Sequence, residues 1–472
     1  MLERCKTLLL LVLIAICIRF TGLYFARVHA STPLFIAAGE APPPAELPEQ
    51  VIPESYIDLF SPHYILVHNR GQHYRLSANE NEYARLWEAL KGAIDTVKNW
   101  NESTSAELQA VPLNEWQHQI AYSYEYRFAG PAQLHYWWLT ASKATMQKFP
   151  EGIYFNRLLI PLNSNSFYLQ NTYTGERWKW QWSTEANRAL FPTPDGLDLS
   201  ETQRVREVKL ASGLNGVPGS QIYAPANAIE LPDVLATPPI TDSNKDAIVK
   251  RFFSILPRMH KTETPGGGRV VETYITARQQ VLTLQNSGLL TYSEIPAQLA
   301  PDAPSGTTVE QFEQVFNFVL GRGGGWPKGT IAAGMEPIAA DDRTGYRFDF
   351  MQLYNGLPVL DFEPTLTIEV VPGGVRNYQR LCYNIIQPGY FQFEVRSIES
   401  ALDRAQTALA GRRISDIYLA YYQRPAFLTE AAPFHSEPMY LYPVWAIELE
   451  NGERLYVHAY KLLNDPGLIQ RP

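Results

Sequence analysis

The sequence predicts an α+β protein: a single N-terminal transmembrane helix followed by about three extracytoplasmic α+β domains with antiparallel sheets. Three observations predict it. An apolar run over residues 7–25 follows Arg4 and Lys6. Short stretches that alternate apolar and polar residues mark strands through most of the remaining chain, and amphipathic helical spacing recurs between them.

As a helix rising ~1.5 Å per residue, positions 7–26 cover roughly 30 Å, the thickness of a bilayer's hydrocarbon core. Leu8, Leu11, Ile14, Ile18 and Leu23 supply the apolar contact surface, with Tyr24 at an interfacial level. Arg19 interrupts the run; near the bilayer centre it costs about 3 kcal/mol, so it either snorkels outward or meets a polar group on a partner helix. Two readings are open. Residues 8–18 have the length of a signal-peptide core, and Val28-His29-Ala30 would serve as a cleavage site. Apolar residues resuming after Arg19 favour an uncleaved anchor. Both readings place the body outside the cytoplasm, and the anchor reading leaves the N-terminus cytoplasmic in a single pass through the cell membrane.

Composition narrows the partners. Residues 1–30 carry Glu3 against Arg4, Lys6, Arg19 and Arg27, so the rest of this chain of net charge −8 holds about −11. That disfavours nucleic acid. Of three cysteines, Cys5 and Cys17 lie in or beside the apolar run, leaving Cys382 alone outside it. A body without disulfides points to a bacterial envelope protein.

The expected organisation is a cytoplasmic tip and anchor at 1–30, a proline-rich stalk at 31–54, a sheet-rich domain at 55–200, a middle α+β domain at 201–300 and a C-terminal α+β domain at 301–472. In the first domain HYILVH at 63–68 reads as a strand, a turn follows around Gly71, and Tyr83, Leu86, Trp87, Leu90, Ile94 and Val97 recur at helical spacing. Tyr122, Tyr124, Tyr126 and Phe128 alternate with polar residues, as do Trp178, Trp180 and Trp182, marking half-buried strands with aromatic inner faces. Helical spacing returns at Ile248, Phe252, Phe253 and Ile255 behind a capping box of Ser243 and Asp246. A meander over 270–292 follows. A helix bearing Phe312, Val315, Phe316 and Val319 ends at the glycines of 321–325. Strands at 346–354 and 365–371, a helix from Ser397 to a stop at Gly411, and a hairpin through Asn451-Gly452 complete the chain. The helix, strand and hairpin order occurs twice, which raises the prospect of two copies of one unit.

Four segments carry a resemblance: the start ERCKTLLLLVLI, Gly323-Gly324-Gly325-Trp326 after a helix, FDFMQLYNGLPV at 348–359, and TIEVVPGGVRNYQR at 367–380. In this order they resemble the YycH family, membrane-anchored extracytoplasmic regulators of the WalK (YycG) sensor kinase in low-GC Gram-positive bacteria. The segment 397–459 is similar to the helix and strands of YycI regulators and PepSY-type modules, so the last two domains are expected to be of that type. The resemblance covers the chain from about residue 245 and is thin between 100 and 240. It implies a protein that contacts a sensor histidine kinase and a YycI-like regulator, modulates cell-wall metabolism, and uses neither catalysis nor a cofactor. Trp326, Tyr354, Asn355 and Gly356 are its candidate ectodomain surface.

No G-x-S-x-G elbow, H-E-x-x-H, Walker A loop or C-x-x-C pair occurs anywhere in the chain. His63, His68 and His73 flank the first turn, and His68 could reach His73 across it to share a metal with a carboxylate. The spacing of five puts His63 and His68 on opposite faces, so solvated strand-edge histidines are preferred and no metal is assigned. Trp178, Trp180 and Trp182, beside Tyr136-Trp137-Trp138, offer a platform for wall glycan, against which core packing is preferred. A glycan-binding or PepSY-like peptidase-inhibitor module is the alternative function. Cys382 reads as a buried small hydrophobe.

Overall fold

A computed structural model describes residues 50–51, 56–98, 109–133, 153–181, 190–200, 202–253, 257–263, 270–295, 308–340, 343–360, 365–423, 439–460 and 468–469. Residues 45–472 form one compact unit. The expected anchor, cleavage site and first part of the stalk lie outside the described residues.

The fold-class expectation is corrected. Among the described residues no helix is long and apolar enough to cross a membrane. The longest, α1 (Asn81–Lys98), buries Tyr83, Leu86, Trp87, Leu90 and Ala93 along one face. Among the described residues strands dominate, and most of them gather into two large sheets of nine and sixteen strands.

In the nine-stranded sheet, Tyr64–Asn69 lies between Gln72–Ser77 and Tyr122–Gln133, all antiparallel. The first pair closes through Arg70 (φ 49°) and Gly71 (φ 89°), both in the left-handed region that a tight hairpin demands. Tyr124 and Tyr126 point toward α1, where the Tyr126 hydroxyl donates to the Leu86 carbonyl at 2.9 Å. Ser123, Glu125 and Arg127, expected to be wet, are buried as well. The expected half-buried strand is therefore buried on both faces.

The sixteen-stranded sheet is built from a unit seen three times: a helix followed by an antiparallel meander. Helix α3 (Lys245–Phe252; α2 is Leu113–Gln119) precedes Arg258–Glu263, Val270–Ile275, Val281–Gln285 and Leu290–Ser293. Helix α4 (Thr308–Gly321) precedes Thr330–Ala340, Arg343–Tyr354, Leu366–Val371 and Gly374–Arg380. Helix α5 (Ile398–Leu409) precedes Arg413–Gln423, Met439–Leu449 and Arg454–His458. The first two meanders join where Leu290–Ser293 pairs with Gly374–Arg380. Between the sheets, the segment expected to be a boundary zone carries Tyr223–Pro225 into the first sheet and Glu230–Thr237 into the second.

Helix ends explain two further differences. Ser243 and Asp246 do not cap α3; Asn244 occupies the cap, accepting from the Thr241 amide at 2.9 Å and donating to the Pro239 carbonyl at 3.0 Å. The glycines after α4 form a fixed exit. Gly324 and Gly325 take φ of 89° and 78°, and Arg380, 4% exposed, donates to the carbonyls of Gly323 and Gly325, both at 2.7 Å. A guanidinium at the negative end of the helix dipole accounts for that tight turn. By contrast α5 starts as expected, the Ser397 hydroxyl accepting from the Ser400 amide.

One apolar core joins these parts. It runs from α1 through the first sheet to α3 and α4, with Phe60 meeting Phe312 at 5.2 Å between ring centroids. A second core packs α5 against Ile414, Ile417, Trp445 and Ile447.

Candidate functional site

Two arrangements gather chemistry: a buried polar seam and an open groove. The seam exists because Tyr122–Gln133 is a central strand whose second face has no water to meet. Glu125 accepts from Arg127 Nε at 2.8 Å on one oxygen and pairs with His68 Nε2 at 3.2 Å on the other. Arg157 Nε lies 3.5 Å from the oxygen shared with Arg127. Arg127 reaches on to Asp416 at 3.1 Å, in the C-terminal strand Arg413–Gln423, and Tyr64 donates to the same carboxylate at 2.7 Å. A parallel tie runs from Tyr173 to Glu448 at 2.6 Å. The seam thus clamps the nine-stranded sheet to the last meander.

Its electrostatics follow from burial. Desolvation alone would raise the Glu125 carboxyl, but the guanidinium groups of Arg127 and Arg157, with His68, hold it well below the usual carboxylate range. Arg127 is pushed well above its ordinary value because, against its own burial, Glu125, Tyr64 and Asp416 surround it. His63 is 2% exposed, and burial plus Arg75 and Arg454 lower its pKa well below 6.5. Burial and neighbouring His68 bring His73 down to about 4. The expectation of solvated strand-edge histidines is corrected: His68 lies on a strand interior to the sheet, and His63, just before that strand, packs between Tyr64 and Tyr418. His68 does reach His73, Nδ1 to Nδ1 at 2.9 Å.

The groove, about 450 Å³, lies on the face of the second sheet turned away from α3 and α4. Strand register lines up Thr273, Thr283, Thr291, Gln379, Thr367 and Asp349 as successive neighbours across six strands. At one end Arg347 and Thr367 donate to Asp349 at 3.2 and 2.6 Å, and Arg376 pairs with Glu369 at 2.8 Å, so the charges balance. Hydroxyls and amides that both donate and accept suit a polar, reversible contact.

The sequence-predicted residues scatter. Leu8, Leu11, Ile14, Ile18, Arg19, Leu23 and Tyr24 lie outside the described residues. Trp326 is 0% exposed, its ring 4.9 Å from Phe350 and 5.8 Å from Phe316, so it is core and not surface. Asn355 (φ 47°) and Gly356 (φ 74°) make a hairpin turn on which only Asn355 is exposed. Tyr354 leans on Tyr421 at 5.9 Å, and the turn docks on the first sheet, where a Cβ on Gly356 would stand 2.6 Å from Ser77 Cβ. Of the glycan platform, Trp180 stacks on Phe167 at 5.7 Å in the core and Trp178 packs against it half-buried, while Trp182 and residues 136–138 lie outside the described residues. Cys382 is buried, its thiol pushed up to about 11 by desolvation.

The architecture matches a known one. The crystal structure of YycH from Bacillus subtilis superposes with a TM-score of 0.51 at 14% identity, over 86% of this chain and 98% of that one. The chain has a YycH-like fold. At that identity the likeness speaks for the fold alone. An uncharacterized protein from Eubacterium rectale aligns over 57% of this chain and 94% of its own, at 12% identity and a TM-score of 0.35, too low to carry an argument. No family model matches the sequence. No curated protein matches it either.

Proposed function

We propose that this chain is an extracytoplasmic regulatory protein that binds a sensor histidine kinase of the WalK/YycG type, alongside a YycI-like regulator, and thereby modulates cell-wall metabolism. The observation that carries the reading is the YycH-like fold over 86% of the chain, which agrees with the ordered motifs from about residue 245 onward. The contact is between folded surfaces, and the groove beneath Thr283, Thr291 and Thr367 is the face assigned to the partner. A difference of ~1 to 3 kcal/mol in affinity between two kinase states is enough to regulate it. A groove of balanced charge supports binding of that modest strength.

The test is co-purification of the full chain with the sensor kinases of its own cell, followed by kinase autophosphorylation with and without it. One kinase retained, with its phosphorylation rate changed several-fold, is expected. Retention of none, with rates unchanged, would end this reading.

A further inference from the structure

We propose that His68 and His73 form a two-nitrogen site for a zinc-class divalent cation, with water completing the coordination. The hairpin makes the pair: a two-residue turn closes on Asn69 and Gln72, which sets His68 directly opposite His73 in register. Side chains so placed have Cβ atoms about 4.5–5.5 Å apart, within reach of one ion. Their Nδ1 atoms converge at 2.9 Å. Two nitrogen ligands at about 2.0–2.1 Å from a tetrahedral ion stand about 3.3 Å apart, so a small opening of the pair admits one.

The second observation is the tautomer. A carboxylate only accepts, so the contact of His68 Nε2 with Glu125 Oε2 at 3.2 Å places the proton on Nε2 and leaves the Nδ1 lone pair facing His73. A carboxylate behind a histidine, fixing its ring and tautomer, is the usual backing of a metal-ligating imidazole. Glu125 is itself held by Arg127 on its other oxygen, so the backing is rigid. Tyr223 packs on both rings, 5.4 Å from His68 and 5.1 Å from His73. His68 is fully buried while His73 is partly exposed, so the ion enters from the His73 side. In the metal-free pair His73 Nδ1–H donates to His68; binding shifts His73 to its other tautomer, the proton passing through solvent to Nε2. Among the described residues no third histidine, cysteine or carboxylate completes the set, so two positions stay open to water and the affinity is moderate. This inference does not depend on the kinase reading.

The full chain, freed of metal with a chelator, would be titrated with Zn²⁺ while its thermal midpoint is followed, and with Cu²⁺ as a spectroscopic probe. The expected result is one saturable equivalent, a midpoint that rises with Zn²⁺, and a Cu²⁺ spectrum with two imidazole nitrogen couplings. His73→Gln should weaken binding at least about tenfold, whereas His260→Gln, on an exposed strand, should leave it unchanged. The nitrogen couplings are read on the unmodified protein, so a poorly folding variant does not rescue the proposal. No saturation at millimolar metal, a single nitrogen coupling, or binding indifferent to His73→Gln would each overturn it.

Discussion

His63 sits between the rings of Tyr64 and Tyr418, at 5.0 and 4.9 Å, with Arg75 and Arg454 facing it. It is neutral when folded and free to take a proton when unfolded. The unfolded chain therefore binds more protons below about pH 6.5, and stability is lost as pH falls from there toward the lowered folded pKa. Urea midpoints measured from about pH 7 to about pH 5 should drop, and His63→Phe, which keeps the ring packing, should flatten that drop. Arg127 makes the complementary case. Arg127→Met leaves the buried Glu125 and the half-buried Asp416 without their shared cation and should cost about 3 kcal/mol in urea unfolding. Pairing it with Glu125→Gln should cost less than the two single changes added together.

Hairpin turns distinguish local from tertiary demands. Gly356 and Gly452 both hold positive φ, at 74° and 80°, so an alanine strains either one. At Gly452 the added Cβ meets Tyr173 at 3.4 Å, while at Gly356 it runs into Ser77 at 2.6 Å. Gly452→Ala should cost about 1 kcal/mol and Gly356→Ala distinctly more, near 2–3 kcal/mol, because the turn would have to lift off the first sheet. Thermal unfolding of the two variants side by side checks the order. Ser397→Ala, which removes only the cap of α5, should cost about 1 kcal/mol.

Across the whole molecule, the seam and the groove divide the work. The seam ties Arg127 and Tyr64 of the first sheet, and Tyr173 in a turn between two of its strands, to Asp416 and Glu448 of the last meander, so the two sheets present their surfaces as one body. In the proposed reading the groove is the surface that meets the partner. Thr283→Arg puts one cation into a balanced face and should abolish kinase retention while leaving the unfolding free energy within about 0.5 kcal/mol of the parent. Equal loss of stability and retention would point instead to damage in the sheet.

Much of this was legible because it is local. The helix of 81–98, the turn at Gly71, the meander of 270–292, the Ser397 cap and the Asn451-Gly452 hairpin all rest on spacing of apolar residues or on φ preferences within a few positions. The approach of His68 to His73 was also readable, since a two-residue loop fixes its own register. What only the tertiary structure decided was which faces are dry. Alternation announces Tyr124 and Tyr126 as inner but cannot say that Glu125 and Arg127 are inner too, because the Asp416 that meets Arg127 is 289 residues away from it. The burial of Trp326, the docking of Gly356 on Ser77 and the merging of meanders into one sheet belong to the same class. Sequence fixes the period of each element; the neighbours that cover its second side come from distant chain, and burial is a property of the pair.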